Sequence, residues 1–190
     1  MNLALPEGAE EKLAAYLALL AKWNNIYNLT AIRDPAQMVT HHVLDSLAVL
    51  PHLDDIETLA DVGSGAGLPG IPLAIVRPDL KVASIEASQK KSTFQQQAKI
   101  ELGLDNVSIH CGRSEVLKRT FDAAISRAFA SLTDFARYAG HLSDRLLAMK
   151  GAYPADELAA LPAGWKLGAC HSIEVPGLGA QRHLLILERA

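Results

Sequence analysis

The run Leu59-Ala60-Asp61-Val62-Gly63-Ser64-Gly65-Ala66-Gly67-Leu68-Pro69-Gly70 is the part of this 190-residue chain best suited to holding a ligand. Its last eight positions contain four glycines. Glycine turns tightly and lets backbone approach a ligand with no Cβ in the way. The run opens as an apolar strand and leads into an apolar helical pattern, the context that a nucleotide-binding loop requires. Two patterns overlap in it. Gly65-Ala66-Gly67-Leu68-Pro69-Gly70 matches the dinucleotide pattern G-x-G-x-x-G. Gly63, Gly65 and Gly67, with Asp61 ahead of them, form a second pattern. Glu86 ends the next predicted strand, about 20 residues on, where an acid accepts hydrogen bonds from both ribose hydroxyls. That chemistry serves any ribose-bearing ligand.

The elements that must position these residues follow from periodicity. Residues 7–28 read as a helix, with Leu13, Leu17 and Leu20 on one stripe and Tyr16, Trp23 and Tyr27 widening it. Asp34-Pro35 reads as a cap and first helical residue. A second helix then runs to about residue 50, with Val39, Val43, Leu47 and Leu50 on one face and Pro51 closing it. From residue 58 short apolar runs alternate with helical stretches. Strands are expected at 58–62, 81–86, 107–110, 121–126 and 145–149, and helices at 70–76, 88–102, 113–118 and 131–142. This alternation predicts an α/β fold with a doubly wound, mostly parallel sheet. Two extended runs, 165–175 and 183–188, flank a loop with Pro176-Gly177-Leu178-Gly179 and predict an antiparallel finish. The expected division is a helical cap over 1–54 and a ligand-binding domain over 55–190, packed as one compact unit.

Composition bounds the partners. The chain is 49% hydrophobic with a net charge of −3 at pH 7. Bare nucleic acid is usually held by a large positive excess, so nucleic-acid binding here requires a local patch or a structured partner. No window approaches a membrane span, and Met1-Asn2-Leu3-Ala4-Leu5-Pro6-Glu7 lacks the basic flank and apolar run of a signal peptide. Cys111 and Cys170 are read as reduced thiols of a cytoplasmic protein. No metal is expected: adjacent helical residues such as His41 and His42 point about 100° apart and cannot share an ion. His41 and Asp45 read as a surface pair. Trp23 and Tyr27 have two readings, core packing or stacking on a base. Lys90 and Lys91 read either as a solvated helix start or as part of a basic patch. No Ser-His-Asp or Cys-His constellation is evident.

The loop formed by Asp61, Gly63, Gly65 and Gly67 resembles that of S-adenosylmethionine-dependent methyltransferases. Two features favour that cofactor over NAD. The chain is too short for a dinucleotide domain plus a substrate domain, and its fifth strand leads to a hairpin rather than a second mononucleotide half. More specific are Lys22-Trp23-Asn24, Tyr27-Asn28-Leu29-Thr30, Arg33-Asp34-Pro35 and His42-Val43-Leu44-Asp45-Ser46. To these add Leu68-Pro69-Gly70-Ile71-Pro72, Ser126-Arg127-Ala128-Phe129-Ala130, Lys150-Gly151 and Arg182-His183-Leu184. Together they resemble the bacterial small-subunit rRNA methyltransferase G family, also called glucose-inhibited division protein B, over nearly the whole chain.

That resemblance implies a class I, Rossmann-like methyltransferase that methylates guanine N7 in the decoding-region (530) loop of 16S rRNA. The substrate would be the 30S particle and the enzyme a monomer. It puts Gly63, Leu68, Ser114, Glu115 and Arg127 at cofactor positions, joined by Gly65, Gly67 and Glu86 from the loop reading. Arg127 is expected to orient the guanine or a nearby phosphate, or else to pair with Glu115 or Asp61. Lys22, Asn28, Arg33, His42, Lys150 and Arg182 are the expected RNA contacts, and the resemblance gives Asp45 a second reading, facing the substrate beside His42. The sequence departs from the family at His41, where a basic residue is common, and at Gln95-Gln96-Gln97, where apolar and basic residues are expected.

Overall fold

Parallel strands buried on both faces need helices above and below, and the burial pattern supplies them. In the computed structural model, which describes residues 4–190, strands β1 (Thr58–Val62), β2 (Lys81–Glu86), β3 (Val107–Cys111), β4 (Ala123–Arg127) and β5 (Arg145–Lys150) are parallel neighbours in the order β3-β2-β1-β4-β5. Met1, Asn2 and Leu3, part of the segment read for a leader, lie outside the described residues. Side chains alternate across the sheet with the two-residue period of a strand. Leu59, Val82, Ile125 and Leu147 face one apolar cluster, whereas Ala60, Ala83, Ala124 and Leu146 face the other. The first cluster is closed by α1 (Ala9–Tyr27), α4 (Gly70–Val76) and α5 (Gln89–Leu102), and the second by α6 (Leu132–Ala139). A short α7 (Ala155–Ala159) was not expected from the sequence. The span expected as a helix at 113–118 holds a single 3-10 turn, Ser114–Val116.

The antiparallel finish differs in order from a simple added hairpin. The last strand, β7 (His183–Arg189), lies between β5 and β6 (Trp165–Ser172). The reason is burial: Leu184 to Leu187 are all buried, whereas β6 is half-exposed and carries a register shift between Leu167 and Ala169. The more apolar strand takes the inner place and the bulged one takes the edge.

The expected second helix is interrupted. Asp34 caps it by accepting from the Ala36 amide at 2.9 Å, and Pro35 opens α2 (Pro35–Met38). A π-helical stretch over Val39–Leu44 then leads into α3 (Asp45–Leu47), followed by a 3-10 turn at Leu50–His52. Wider π turns rotate the following side chains out of α-helical phase. The predicted stripe therefore breaks: Val39 is 43% exposed while Val43 and Leu47 are buried. The same shift carries His42 and Asp45, polar residues in the sequence pattern, into the interior.

Helix α1 does more than cover the sheet. Tyr16 is fully buried and donates its hydroxyl to the Ala66 carbonyl in the glycine loop at 2.7 Å. Burial pushes its phenol pKa up, so the hydroxyl keeps the proton it donates. Asn24, buried one turn from the end of α1, donates to Ile32 O and accepts from the Thr30 amide at 2.9 Å. It thereby fixes the loop into α2. No helix among the described residues is long and apolar enough to cross a membrane, and both cysteines are free.

Tyr16→Phe keeps the ring packing but leaves the Ala66 carbonyl unmet. We expect it to destabilise the fold by about 1–3 kcal/mol with an unchanged urea m-value. Stability within a few tenths of the parent would show that the bond contributes nothing.

Candidate functional site

The glycine loop leaves β1 with its backbone turned in on itself. Gly63, Gly65 and Gly67 all have positive φ, at 69°, 60° and 85°. At Gly67 a Cβ would also run into Ile71, and at Gly70 it would lie 2.7 Å from Asp61 Oδ2. Side chains meet the loop's polar groups. Glu86 Oε2 accepts from the Gly65 amide and Oε1 from the Ser88 amide, both at 2.8 Å. Asp61 Oδ2 accepts from the Gly70 amide at 2.8 Å, while its Oδ1 is buried without a partner. Burial pushes the Asp61 pKa up to about 7 against the pull of that amide and of the Arg127 charge.

Gln95, where the sequence departs from the family pattern, is fully buried beneath this loop. Its Nε2 donates to Ser64 Oγ at 2.8 Å and to Gly65 O at 2.7 Å, and its Oε1 accepts from Ser84 Oγ at 2.6 Å. The signal was present: Gln95 falls on the helix face that also carries Phe94 and Ala98.

Two cavities open at the carboxyl ends of the parallel strands, where open α/β sheets bind ligands. The first, about 250 Å³, is walled by Val62, Gly63, Ile85, Ala87, Gly112, Arg113, Ser114, Glu115, Phe129 and Tyr138. Ser114 is fixed there by donating its hydroxyl to Tyr138 O at 2.8 Å. Of the expected cofactor residues, Gly63, Ser114 and Glu115 line this space. Gly65, Gly67 and Glu86 build the loop beside it without forming the wall. Leu68 packs into the apolar core instead, because the turn into α4 points its side chain inward.

The second cavity, about 360 Å³, is walled by Ile32, His41, His42, Asp45, Arg127, Ala128, Met149, Lys150, Gly151 and Arg182. Arg127, expected among the cofactor residues, lines this cavity and not the first. Its Nη1 donates to His41 O at 2.7 Å and to Asp45 Oδ2 at 3.1 Å. Neither Glu115 nor Asp61 is its partner; the π-helical stretch brings Asp45 to it instead. The expected surface pair of His41 and Asp45 does not form. Asp45 is 3% exposed and its other oxygen accepts from Arg182 Nε at 2.8 Å, whereas His41 Nδ1 meets Gln37 O.

The other expected RNA contacts divide. His42, Lys150 and Arg182 line the second cavity. Lys150 is already paired with Glu157 at 2.8 Å. Lys22, Asn28 and Arg33 are exposed and line neither cavity, with Arg33 donating to Asn28 Oδ1 at 2.6 Å. Lys90 is not simply solvated: it donates to Tyr27 O at the end of α1. Trp23 sits edge-on to Phe94, with ring centroids 5.7 Å apart, and packs on the half-exposed Tyr27.

Residues 127–129 separate the cavities, with Arg127 and Ala128 on one side and Phe129 on the other. Ala128 has a φ of 64°, a left-handed conformation that costs a non-glycine residue free energy. Such strain persists only where surroundings enforce it. Lys150 Nζ, 3.3 Å from Phe129 O, is one such restraint.

His42 is buried, and its Nε2 lies 3.0 Å from Thr30 Oγ1. Burial first, then the Arg127 charge, lowers its pKa from 6.5 to about 4. Between those values the unfolded chain binds the proton and the folded chain does not. His42 therefore favours the folded state fully above pH 6.5, and that contribution is lost as pH falls through about 4. Asp61 acts oppositely, its contribution fading as pH rises from 3.8 through about 7. Relative to the parent, His42→Gln should lose up to ~3 kcal/mol less stability over the acid window in urea unfolding at stepped pH. Parallel curves for the two proteins would contradict the buried, neutral imidazole.

Comparison with known proteins fits this geometry. The family model described as rRNA small subunit methyltransferase G matches residues 9–185. A ribosomal RNA small subunit methyltransferase G from Aromatoleum aromaticum is 58% identical over 198 residues, spanning 100% of this chain and 94% of that protein. Its namesake from Neisseria meningitidis serogroup C is 48% identical over 193 residues, spanning 100% and 93%. Among solved structures, TrmN from Thermus thermophilus aligns with a TM-score of 0.62 at 20% identity, covering 76% of this chain and 48% of that one. A SAM dependent methyltransferase from Aquifex aeolicus aligns at 0.59 and 18% identity, covering 82% and 94%. The structural likenesses show the class I, Rossmann-like methyltransferase fold. The match in sequence extends along nearly the whole chain, and this chain belongs to the rRNA small subunit methyltransferase G family.

Proposed function

We propose that this chain transfers the methyl group of S-adenosylmethionine to N7 of a guanosine in the 530 loop of 16S rRNA. The observation that carries the reading is the pair of cavities whose linings divide at residues 127–129, with Arg127 and Ala128 on one and Phe129 on the other. A methyl donor in one and a base in the other would meet across that wall. The closeness of the relatives named as rRNA methyltransferases supports the substrate class.

The first cavity fits the cofactor chemically. Ile85 and Phe129 offer apolar contact for a purine. Ser114 and Glu115 offer polar groups at its edge, and Gly63 and Gly112 leave backbone open where a side chain would intrude. Glu86, beside this cavity, accepts one amide on each oxygen and keeps a second lone pair on each that a ribose hydroxyl would use. When bound, S-adenosylmethionine supplies a methyl group made electrophilic by its sulfonium.

Guanine N7 carries a free lone pair at neutral pH, so no residue has to remove a proton. The protein's work is to position, to enclose and to tolerate the positive charge that arrives on the base. Arg127 supports the positioning, with a guanidinium held by His41 O and Asp45 and directed to the second cavity. The helical cap (1–54) acts with the domain (55–190) as one unit, since Tyr16 holds the loop and Asp45 holds Arg127. With a net charge of −3, the chain binds naked RNA weakly and relies on the assembled 30S particle for shape. On this reading it is a cytoplasmic, metal-free monomer, and His42, Lys150 and Arg182 face the RNA.

A tritiated-methyl assay with 30S particles from cells lacking the modification tests this. Label should enter one guanosine of the 530 loop, and S-adenosylhomocysteine, but not NAD, should raise the melting temperature. Arg127→Lys keeps the charge but not the planar fork and should lower turnover at least ~10-fold. No label in the particles would sink the assignment, and a fully active Arg127→Lys would sink the orienting role.

A further inference from the structure

We propose that Asp45 sets Arg127 and Arg182 as a two-armed clamp for a single phosphodiester of the substrate strand. This inference rests on the RNA reading of the second cavity. Asp45 is a positioning residue, since both its oxygens are engaged by arginines. Oδ2 takes Arg127 Nη1 at 3.1 Å and Oδ1 takes Arg182 Nε at 2.8 Å. The two arginines arrive from separate parts of the fold, the end of β4 and the loop just before β7. One carboxylate from α3 holds both.

An accounting of donors shows what remains for a ligand. A guanidinium has five N–H groups. Arg127 Nη1 uses both of its protons on His41 O and Asp45, which leaves Nε and Nη2 with no protein acceptor among the described residues. Arg182 uses Nε on Asp45 and one proton of Nη1 on Gln181 O, which leaves the second Nη1 proton and both on Nη2. Both side chains are partly exposed, at 19% and 25%, and both line the cavity. Planar donors of this kind match the oxygens of a phosphate.

The charge accounting points the same way. Lys150 is cancelled by Glu157. Two arginines against one aspartate leave a single positive charge in the cluster. One phosphodiester balances it. A guanine O6 could use the donors but would leave that charge unbalanced beside a base that becomes cationic on methylation.

The test is steady-state methyl transfer to 30S particles over a range of KCl, with Asp45→Asn and Arg182→Gln against the parent. Arg182→Gln should raise KM about 10-fold and reduce the salt slope by about one. Asp45→Asn should do the reverse on binding, with KM kept or lowered and a steeper salt slope, yet kcat reduced at least about 10-fold because the arms are no longer held. Melting-temperature shifts with S-adenosylhomocysteine should match the parent's in both variants, since the cofactor cavity is separate. A merely structural defect would lower those shifts together with kcat and would not steepen the salt slope. Parental kcat in Asp45→Asn, or an unchanged salt slope in Arg182→Gln, overturns the clamp. If Asp45→Asn does not fold, Arg182→Gln decides. Calorimetry with guanosine 5′-monophosphate and guanosine on the S-adenosylhomocysteine complex separates this inference from the activity. The monophosphate should bind at least about 10-fold tighter, and Arg182→Gln should abolish the difference. That result upholds the clamp even if the particles are not methylated, and equal binding of the two probes to the parent refutes it.

Discussion

The turn after β1 must bury a stretch of backbone that strand pairing meets only at its start, where the Gly63 and Ser64 amides donate to Ile85 O. Buried amides and carbonyls left unmet cost the fold dearly, so something else has to satisfy them. Here the answer comes from side chains spread along the chain. Tyr16 serves Ala66 O, Gln95 serves Gly65 O, Glu86 takes the Gly65 amide, and Asp61 takes the Gly70 amide. Each comes from a different element, so the loop's shape depends on α1, β1, β2 and α5 being packed in register. The glycine loop is in this sense a product of the whole core, including a helix that could be mistaken for an appendage.

The second cavity repeats the principle with charges. A buried carboxylate is costly alone and becomes tolerable when cations and hydrogen bonds surround it. Asp45 meets that condition through Arg127 and Arg182. Its interior position follows from the π-helical stretch before it, an irregularity of a kind common at functional sites. Strain at Ala128 lies in the wall between the two cavities. Irregular helix, left-handed alanine and buried ion cluster thus gather within one side of the molecule, while the sheet beneath them is regular.

Much of the fold was legible in the sequence because it depends on local pattern. The five parallel strands, the glycine loop and the antiparallel finish all announce themselves by period and by glycine. What remained hidden depends on partners distant in the chain. Nothing near Val39 marks a π turn, so the second helix was read as continuous and Asp45 as a surface residue. Arg127 was read toward the cofactor because its strand end lies on the right edge of the sheet, yet its partner is 82 residues away. Leu68 belongs to a recognisable motif, but motif membership does not say whether a side chain faces ligand or core. Gln95 was visible as an anomaly, a polar residue on an apolar helix face, and its meaning needed Ser64 and Ser84 to be brought beside it.

The central claim is that residues 127–129 part a cofactor cavity from a substrate cavity. The most direct measurement is a crystal structure of the protein with S-adenosylhomocysteine and guanosine 5′-monophosphate. The account predicts the homocysteine sulfur on the Phe129 side, the guanine on the Arg127 side, and N7 directed toward the sulfur. Guanine bound elsewhere, or both ligands within one cavity, would contradict it.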